Sequence, residues 1–585
     1  MVRKQIEKLL SDAIKKLGID GQASVSFSSL PELCDYQSNS AFVLAKQSSQ
    51  NPYELANNIV QALEKTEFFT FEVARPAFIN IKLTQKGYNH FANLLFQDER
   101  CGVKKLSNQK VLLDYGGANV AKALHVGHLR APIIGEALKR LYKFLGENVI
   151  SDVHLGDWGL QMGLTELQLF EDGELDYYFS GKGKEPDFTL EMLNQAYPKA
   201  SARKNQDEDF KKRADEWTLK IQNKEKPYFE IYKKIREVSV KEIKKHYEEL
   251  GAEFDLWFGE SDADQYIGKA LDIIESKGLS RVSDGAVVVD VAVEGENVPI
   301  PKKNEEEVQR YKNPMPPAIL KKYNGGALYA TTDIATILMR NSEIGGLDRI
   351  EYIVDARQKN HFVQVFRVCK MAQISPADQK LVHIGFGTMC GNDGKPFKTR
   401  SGDNIKLEDI INMLIEKAGQ KLKSNGVEYD RHLALQIGVA AMKFGDLSNN
   451  VGKDYVFDLD KFLSFEGKTG PYLQYTVCRI NSILNKAQED GGEIIIASDD
   501  EKEIVKNILK LNSSYEVAYK EKSLNNLCLA TFDLASAFST FYNNHKILTE
   551  KDGQKKASYI SLLKLVKKAL TQALDVLAIE VPKKM

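Results

Sequence analysis

Residues 119–130 read NVAKALHVGHLR, a lysine three positions ahead of one histidine and a second histidine three positions beyond it, with Gly127 between the pair. The stretch follows the β-rich run KVLLDY and the turn GGAN. It opens GHLRAPIIGEALKRLYKFLG, where Leu129, Ile133, Ala137, Leu141 and Leu145 share one helical face. A strand-to-helix junction presents free backbone N–H groups and the positive end of the helix dipole, so it suits an anion. His125 and His128 can add imidazole donors as negative charge moves over a phosphate, and Gly127 lets a flat base or ribose approach the backbone. A zinc reading is weaker, because HVGH lacks the glutamate of HExxH and the i,i+4 spacing that sets two ligands on one face. For an isolated tetrapeptide the plainer reading, His125 as a cap and His128 as packing, is favoured, and context must decide.

Three further constellations carry chemistry. In GALYATTDIATIL, Tyr329 and Asp333 stand four residues apart and near one face if a helix begins there. A carboxylate with a stacking ring suits a guanidinium, whereas the bland alternative is a helix-terminal acid beside a core tyrosine. GTMCGNDGKPFKTRSGDNIKLEDI is a glycine- and lysine-bearing loop whose Lys398 and Arg400 can close on a leaving pyrophosphate, although such a loop is more often a solvated turn. FEGKTGPYLQYTVCRINSIL places Tyr472, Gln474, Tyr475 and Arg479 around a helix start, a mixture suited to unpaired bases or, more plainly, ordinary surface polars.

The elements that must position these groups predict a multidomain α/β chain. Residues 1–105 read as a small α+β domain, with FTFEVARPAFINIKL as a strand pair. Residues 106–407 start with a βαβ unit, which implies a parallel sheet. A charged helical insertion near 170–250 interrupts this domain, the sheet pattern resumes at AVVVDVAVEG, ALYATTDIA and RIEYIVDA, and a signature loop lies near 394–402. Residues 408–585 are a run of amphipathic helices, read as an all-α bundle. At 585 residues the chain exceeds one core, and a net charge of −1 supplies no global field for nucleic acid while leaving local basic patches open. Six cysteines without a CxxC pair argue against a disulfide framework or a structural metal. No leader or membrane-spanning run is recognised, so a cytoplasmic protein is expected.

The extended match DYGGANVAKALHVGHLR followed by DVHLGDWGLQMG resembles the class I aminoacyl-tRNA synthetases, specifically the arginyl-tRNA synthetase family. The resemblance implies a Rossmann-like catalytic domain, ATP bound by Lys122, His125, Gly127 and His128 with Mg²⁺ on its oxygens, and arginine contacted by Asp114, Asn119 and His125. By the same resemblance Tyr329, Asp333 and Gln358, with His361 as a weaker candidate, complete the arginine site. The pentapeptide Phe397-Lys398-Thr399-Arg400-Ser401 aligns with the second class I signature, Lys-Met-Ser-Lys-Ser, and lacks both of its lysines. In this family the lysine before the histidine pair supplies the missing charge, which makes Lys122 the principal cation and Lys398 and Arg400 supporting ones. Gly116-Gly117-Ala118 departs from the family pattern, where a small residue and a proline precede the asparagine, so a looser turn at Asn119 is expected.

Tyr472, Gln474, Tyr475, Arg479 and Met585 in the C-terminal part, and Phe78 and Asn80 in the N-terminal part, are the expected contacts with tRNA(Arg). The implied activity is arginine–tRNA ligation by a monomer, with bound tRNA required for efficient adenylate formation. Two rivals remain at this level. A class I synthetase for lysine would also use an acidic pocket, and a non-catalytic tRNA-binding relative would keep the fold but has no need of an intact histidine pair.

Overall fold

The computed structural model describes residues 1–296, 314–321, 329–391, 393–397 and 405–585. Contacts divide the chain into one unit spanning Ser107–Asp460 and another made of Met1–Leu106 and Lys461–Met585.

The Ser107–Asp460 unit is built on four parallel strands in the order Lys380–Phe386, Arg349–Asp355, Lys110–Tyr115, Asn148–Asp152. Lys110–Tyr115 is buried from its second residue onward, which is why it reads as an unbroken apolar run rather than an alternating one. Parallel neighbours need a crossover, and helix Arg130–Phe144 provides it, packing on both strands that it joins. In register, Asp114 lies opposite both Asp152 and Tyr352, so two carboxylates meet at the carboxyl end of adjacent strands. Arg340, fully buried on helix Tyr329–Glu343, separates them with contacts of 2.6 Å to each. That end of an open α/β sheet is where ligands bind.

Two sequence expectations shift here. ALYATTDIA does not continue the sheet: from Tyr329 onward it is helix, while Ala286–Val289 belongs to a separate three-stranded antiparallel sheet with Ser280–Ser283 and Ala318–Lys321. Helices Leu407–Ser424 and Arg431–Leu447, read above as the beginning of the C-terminal bundle, lie in the unit with the parallel sheet. The buried ion pair between Arg130 and Asp446, at 2.8 Å, ties the second of them to the helix that follows the histidine motif. Amphipathic periodicity says that a helix buries one face but not against what. The charged insertion folds as the helices Leu160–Glu171, Leu190–Arg203, Glu208–Gln222 and Tyr228–Glu249, packed on one another.

In the other unit an antiparallel sheet runs Ser26–Phe27, Tyr36–Ser38, Phe78–Leu83, Phe69–Ala74. Strand Phe78–Leu83 alternates as expected, with Ile79, Ile81 and Leu83 buried while Phe78 and Asn80 occupy the other face. Helices Gly470–Ala487, Asp499–Glu521, Asn525–Asn544 and Gly553–Val576 form a bundle. Sheet and bundle are joined through amides on helix Gln85–Gln97. Asn93 donates to the Ile494 carbonyl at 2.8 Å and accepts from the Ile494 N–H at 2.9 Å, and Asn89 accepts from the Ile496 N–H at 2.9 Å. Among the described residues no helix is long and apolar enough to cross a membrane.

Candidate active site

A cleft of about 710 Å³ lies at the carboxyl ends of the parallel strands, and Asn119, His125, Gly127, His128, Glu260 and Gln358 line it. Its volume is within the range of small-molecule sites and its wall mixes donors, acceptors and carboxylates.

The loop carrying the motif is held from several sides. Gly116 has φ +77°, and a Cβ there would come within 2.9 Å of the Phe254 ring, so glycine is required. The turn without the proline is hydrogen-bonded from two sides. Tyr247 donates its hydroxyl to the Gly116 carbonyl at 2.5 Å, the Gly156 N–H donates to Ala118 O at 2.9 Å, and the Val120 N–H donates to Gly156 O at 3.0 Å. These bonds hold the backbone on both sides of Asn119, which lines the cleft. Farther on, Ala121 is buried with φ +62°, a conformation that costs an L-residue roughly 1–2 kcal/mol. On its far side the loop is stitched to the segment after 404: the Val126 N–H donates to Ile405 O and the Leu407 N–H to Leu124 O, both at 2.9 Å.

His125 and His128 serve as caps and as cleft walls at once. The Nδ1 of His125 accepts from the Gly127 N–H at 3.0 Å, and the Nδ1 of His128 accepts from the His125 N–H at 3.1 Å. A backbone N–H can only donate, so each neutral ring carries its proton on Nε2. Burial lowers both pKa values, with the charge of Lys122 adding to the effect, and His128 falls to about 3. At neutral pH the pair is therefore two uncharged Nε2–H donors, with ring centroids 4.0 Å apart. Gly127 is exposed, and a Cβ on it would stand 2.8 Å from Cε1 of His125, so the glycine makes room for the ring that caps it.

Lys122 does not line the cleft; its ammonium stands 5.8 Å from the centre of the Tyr197 ring, on the insertion. Asp114, expected to touch arginine, is buried with its carboxylate committed to Arg340 and is absent from the cleft wall. Its pKa is raised, chiefly by burial. The structure therefore gives Asp114 a place beneath the site, where the buried Arg340 holds its carboxylate. Gln358 closes a short 3-10 turn, Ala356–Gln358, at the cleft. Tyr329, 74% exposed, begins the helix that carries Asp333 one turn later, and Asp333 meets Nε2 of His361 at 2.5 Å. Neither Tyr329 nor Asp333 is part of the cleft wall itself. Lys398 and Arg400 lie outside the described residues.

Glu260 is the residue that the sequence reading missed. It lines the cleft, and burial, reinforced by the charges of Asp157 and Asp333, pushes its carboxyl up to about 7. Burial raises the Tyr329 hydroxyl pKa and the charge of Glu260 adds to it, which places Glu260 in the Tyr329–Asp333 neighbourhood. The only sequence signal was an acid opening helix Glu260–Ser276, a position that acids favour for the helix dipole alone.

In the other unit the candidate RNA-facing residues separate. Tyr475 is 39% exposed, and Arg479 lays its guanidinium carbon 5.4 Å from the Tyr475 ring and 4.8 Å from the Tyr542 ring. Tyr472 shares a hydrogen bond of 2.9 Å with Ser539. Gln474 is 0% exposed and donates to the Glu580 carbonyl at 2.6 Å. That corrects the expectation for Gln474, which ties the helix to the C-terminal segment and has no face to offer an RNA. Met585 is half-buried. Asn80 accepts from the Gln37 amide at 2.9 Å, and Phe78 stands edge-on to Phe42 at 5.2 Å.

Comparison with known proteins fits this architecture. A model described as tRNA synthetases class I (R), catalytic domain, matches residues 90–459, which sets the class. The arginyl tRNA synthetase N terminal domain matches residues 4–83 and the DALR anticodon binding domain residues 473–585. Curated relatives named arginine–tRNA ligase are 40% identical in Agathobacter rectalis, over 100% of both chains, and 40% identical in Alkaliphilus oremlandii, over 100% of this chain and 99% of the relative. The solved arginyl-tRNA synthetase of Plasmodium falciparum shares the fold with a TM-score of 0.81 at 24% identity, covering 100% of this chain and 99% of its own. That of Thermus thermophilus does so at 0.79 and 22%, with 100% of both chains covered. The chain belongs to the arginyl-tRNA synthetase family.

Proposed function

We propose that this protein activates L-arginine with ATP and transfers it to tRNA(Arg). A carboxylate oxygen of arginine attacks the α-phosphorus, the bond to the β-phosphate breaks and pyrophosphate leaves; a terminal ribose hydroxyl of the tRNA then attacks the arginyl carbonyl and releases AMP. Neither step needs a protein nucleophile, so the chain's contribution is alignment and stabilisation of phosphate charge. The observation that carries the reading is the pair of Nδ1-anchored imidazoles, which present uncharged Nε2–H donors to the cleft. In this reading the carboxylates of Glu260 and Asp333, with the Tyr329 ring, take the guanidinium, and Asn119 and Gln358 orient the amino acid. Lys122, with Lys398 and Arg400, supplies cations for the phosphates.

Mg²⁺ enters with ATP in this reading. Tyr472, Tyr475 and Arg479 offer rings and a guanidinium to unpaired bases. The protein is read as a cytoplasmic monomer.

The test is charging of tRNA with each of the twenty amino acids in turn. Arginine alone should be transferred. Binding of tRNA without charging by any amino acid contradicts the enzyme reading, and transfer of lysine contradicts the assignment of the guanidinium site.

A further inference from the structure

The charged helical insertion touches the motif loop at three places. Tyr247 holds the Gly116 carbonyl at 2.5 Å, Ser239 accepts the Ala121 N–H at 3.1 Å, and the Tyr197 ring lies 5.8 Å from the Lys122 ammonium. Ser239 and Tyr247 sit two turns apart on one face of helix Tyr228–Glu249. Ser239 is 2% exposed and donates its own proton to the Ile235 carbonyl at 2.8 Å, one turn earlier. This leaves an oxygen lone pair aimed at Ala121. Ala121 is the loop's left-handed non-glycine residue, fully buried, and the serine hydroxyl is the partner of its N–H. Losing that acceptor leaves a buried donor unmade in a backbone conformation already unfavourable to alanine. Lys122 is the next residue.

We propose that Ser239 is a positioning residue for Lys122: the insertion fixes the backbone of Ala121 through Ser239 and the path of the lysine side chain through Tyr197. The proposal rests on the reading of Lys122 as a cation for ATP phosphates. It gives the insertion a task in the chemistry, delivering one charge to a loop that is otherwise anchored through Gly156 and Ile405.

The experiment is a double-mutant cycle on ATP–pyrophosphate exchange with the full-length protein, arginine and tRNA. Lys122→Ala should lower kcat about 100-fold. Ser239→Ala should lower it about tenfold with the arginine KM unchanged, Ser239→Thr should keep the wild-type rate, and adding Ser239→Ala to Lys122→Ala should slow exchange no further. Losses that multiply in the double variant overturn the positioning role, since a general structural defect acts whether or not Lys122 is present. An unchanged rate in Lys122→Ala overturns the reading of Lys122 itself. If Ser239→Ala does not fold, half-buried Tyr197 decides the matter. Tyr197→Leu should cost about threefold in the wild type and nothing beside Lys122→Ala. No loss in the wild type, or equal loss in both backgrounds, overturns the proposal.

Discussion

The motif loop at residues 116–128 and the helix Gly470–Ala487 both carry candidate functional residues, yet they hold them in opposite ways. In the loop the polar side chains are spent on the backbone first: His125 and His128 use Nδ1 as a cap and face the cleft with what remains. On the helix, position around the axis decides everything. Gln474 turns inward to Glu580 while Tyr475, its immediate neighbour, is 39% exposed. The histidine pair thus transfers as a unit, because its side chains and backbone define one another. A helical motif transfers only residue by residue.

The largest effect that sharpens this contrast is expected at the loop. His128→Ala removes one donor from the cleft, and exchange should slow by about 10²–10³-fold while tRNA affinity, read by filter binding, stays within about twofold of wild type. A matching loss of tRNA affinity would merge the two regions into one function.

Within the cleft Glu260 gives the next effect. Its carboxyl, raised to about 7, is largely protonated at pH 6 and largely ionised at pH 8, and a guanidinium prefers the ionised form. The arginine KM should therefore fall about tenfold as pH rises from 6 to 8, and Glu260→Gln should flatten that dependence while raising KM at pH 8 by about 10- to 100-fold. His128 contributes nothing to this profile in that window, because its pKa lies near 3.

How much of this was legible beforehand follows the same contrast. The strand, turn and helix around His125 could be read because glycine positions, an apolar run and a 3.6-residue period all agree there. The pinning of the loop could not, since Tyr247 and Ser239 are more than a hundred residues away and look like ordinary members of a charged helix. Glu260 was invisible for a different reason: an acid at a helix start has a sufficient local explanation, and only burial near Asp333 marks it out. Asp114 was legible as important but not as to its partner, because Arg340 reaches it across 226 positions.

On the helix the effects should be smaller. Arg479→Ala breaks the guanidinium's stack between Tyr475 and Tyr542 and should weaken tRNA binding about five- to tenfold, with charging at saturating tRNA unchanged. Gln474→Leu removes a buried bond to the C-terminal segment. It should lower the melting temperature by about 2–4 °C, measured by calorimetry, and leave tRNA affinity within about twofold. A loss of affinity at Gln474 equal to that at Arg479 would show that inward and outward positions on this helix do not differ in function.

The central claim is that the two histidines act as uncharged Nε2–H donors held by their Nδ1 atoms, and nitrogen NMR of the protein labelled at histidine reads that state directly. At pH 7 to 8 the resonances of His125 and His128, assigned by His125→Asn and His128→Asn, should report a protonated Nε2 and an unprotonated hydrogen-bonded Nδ1, and those of His128 should show no titration down to pH 5. Titration of either ring near pH 6.5, or a proton found on Nδ1, would contradict the account.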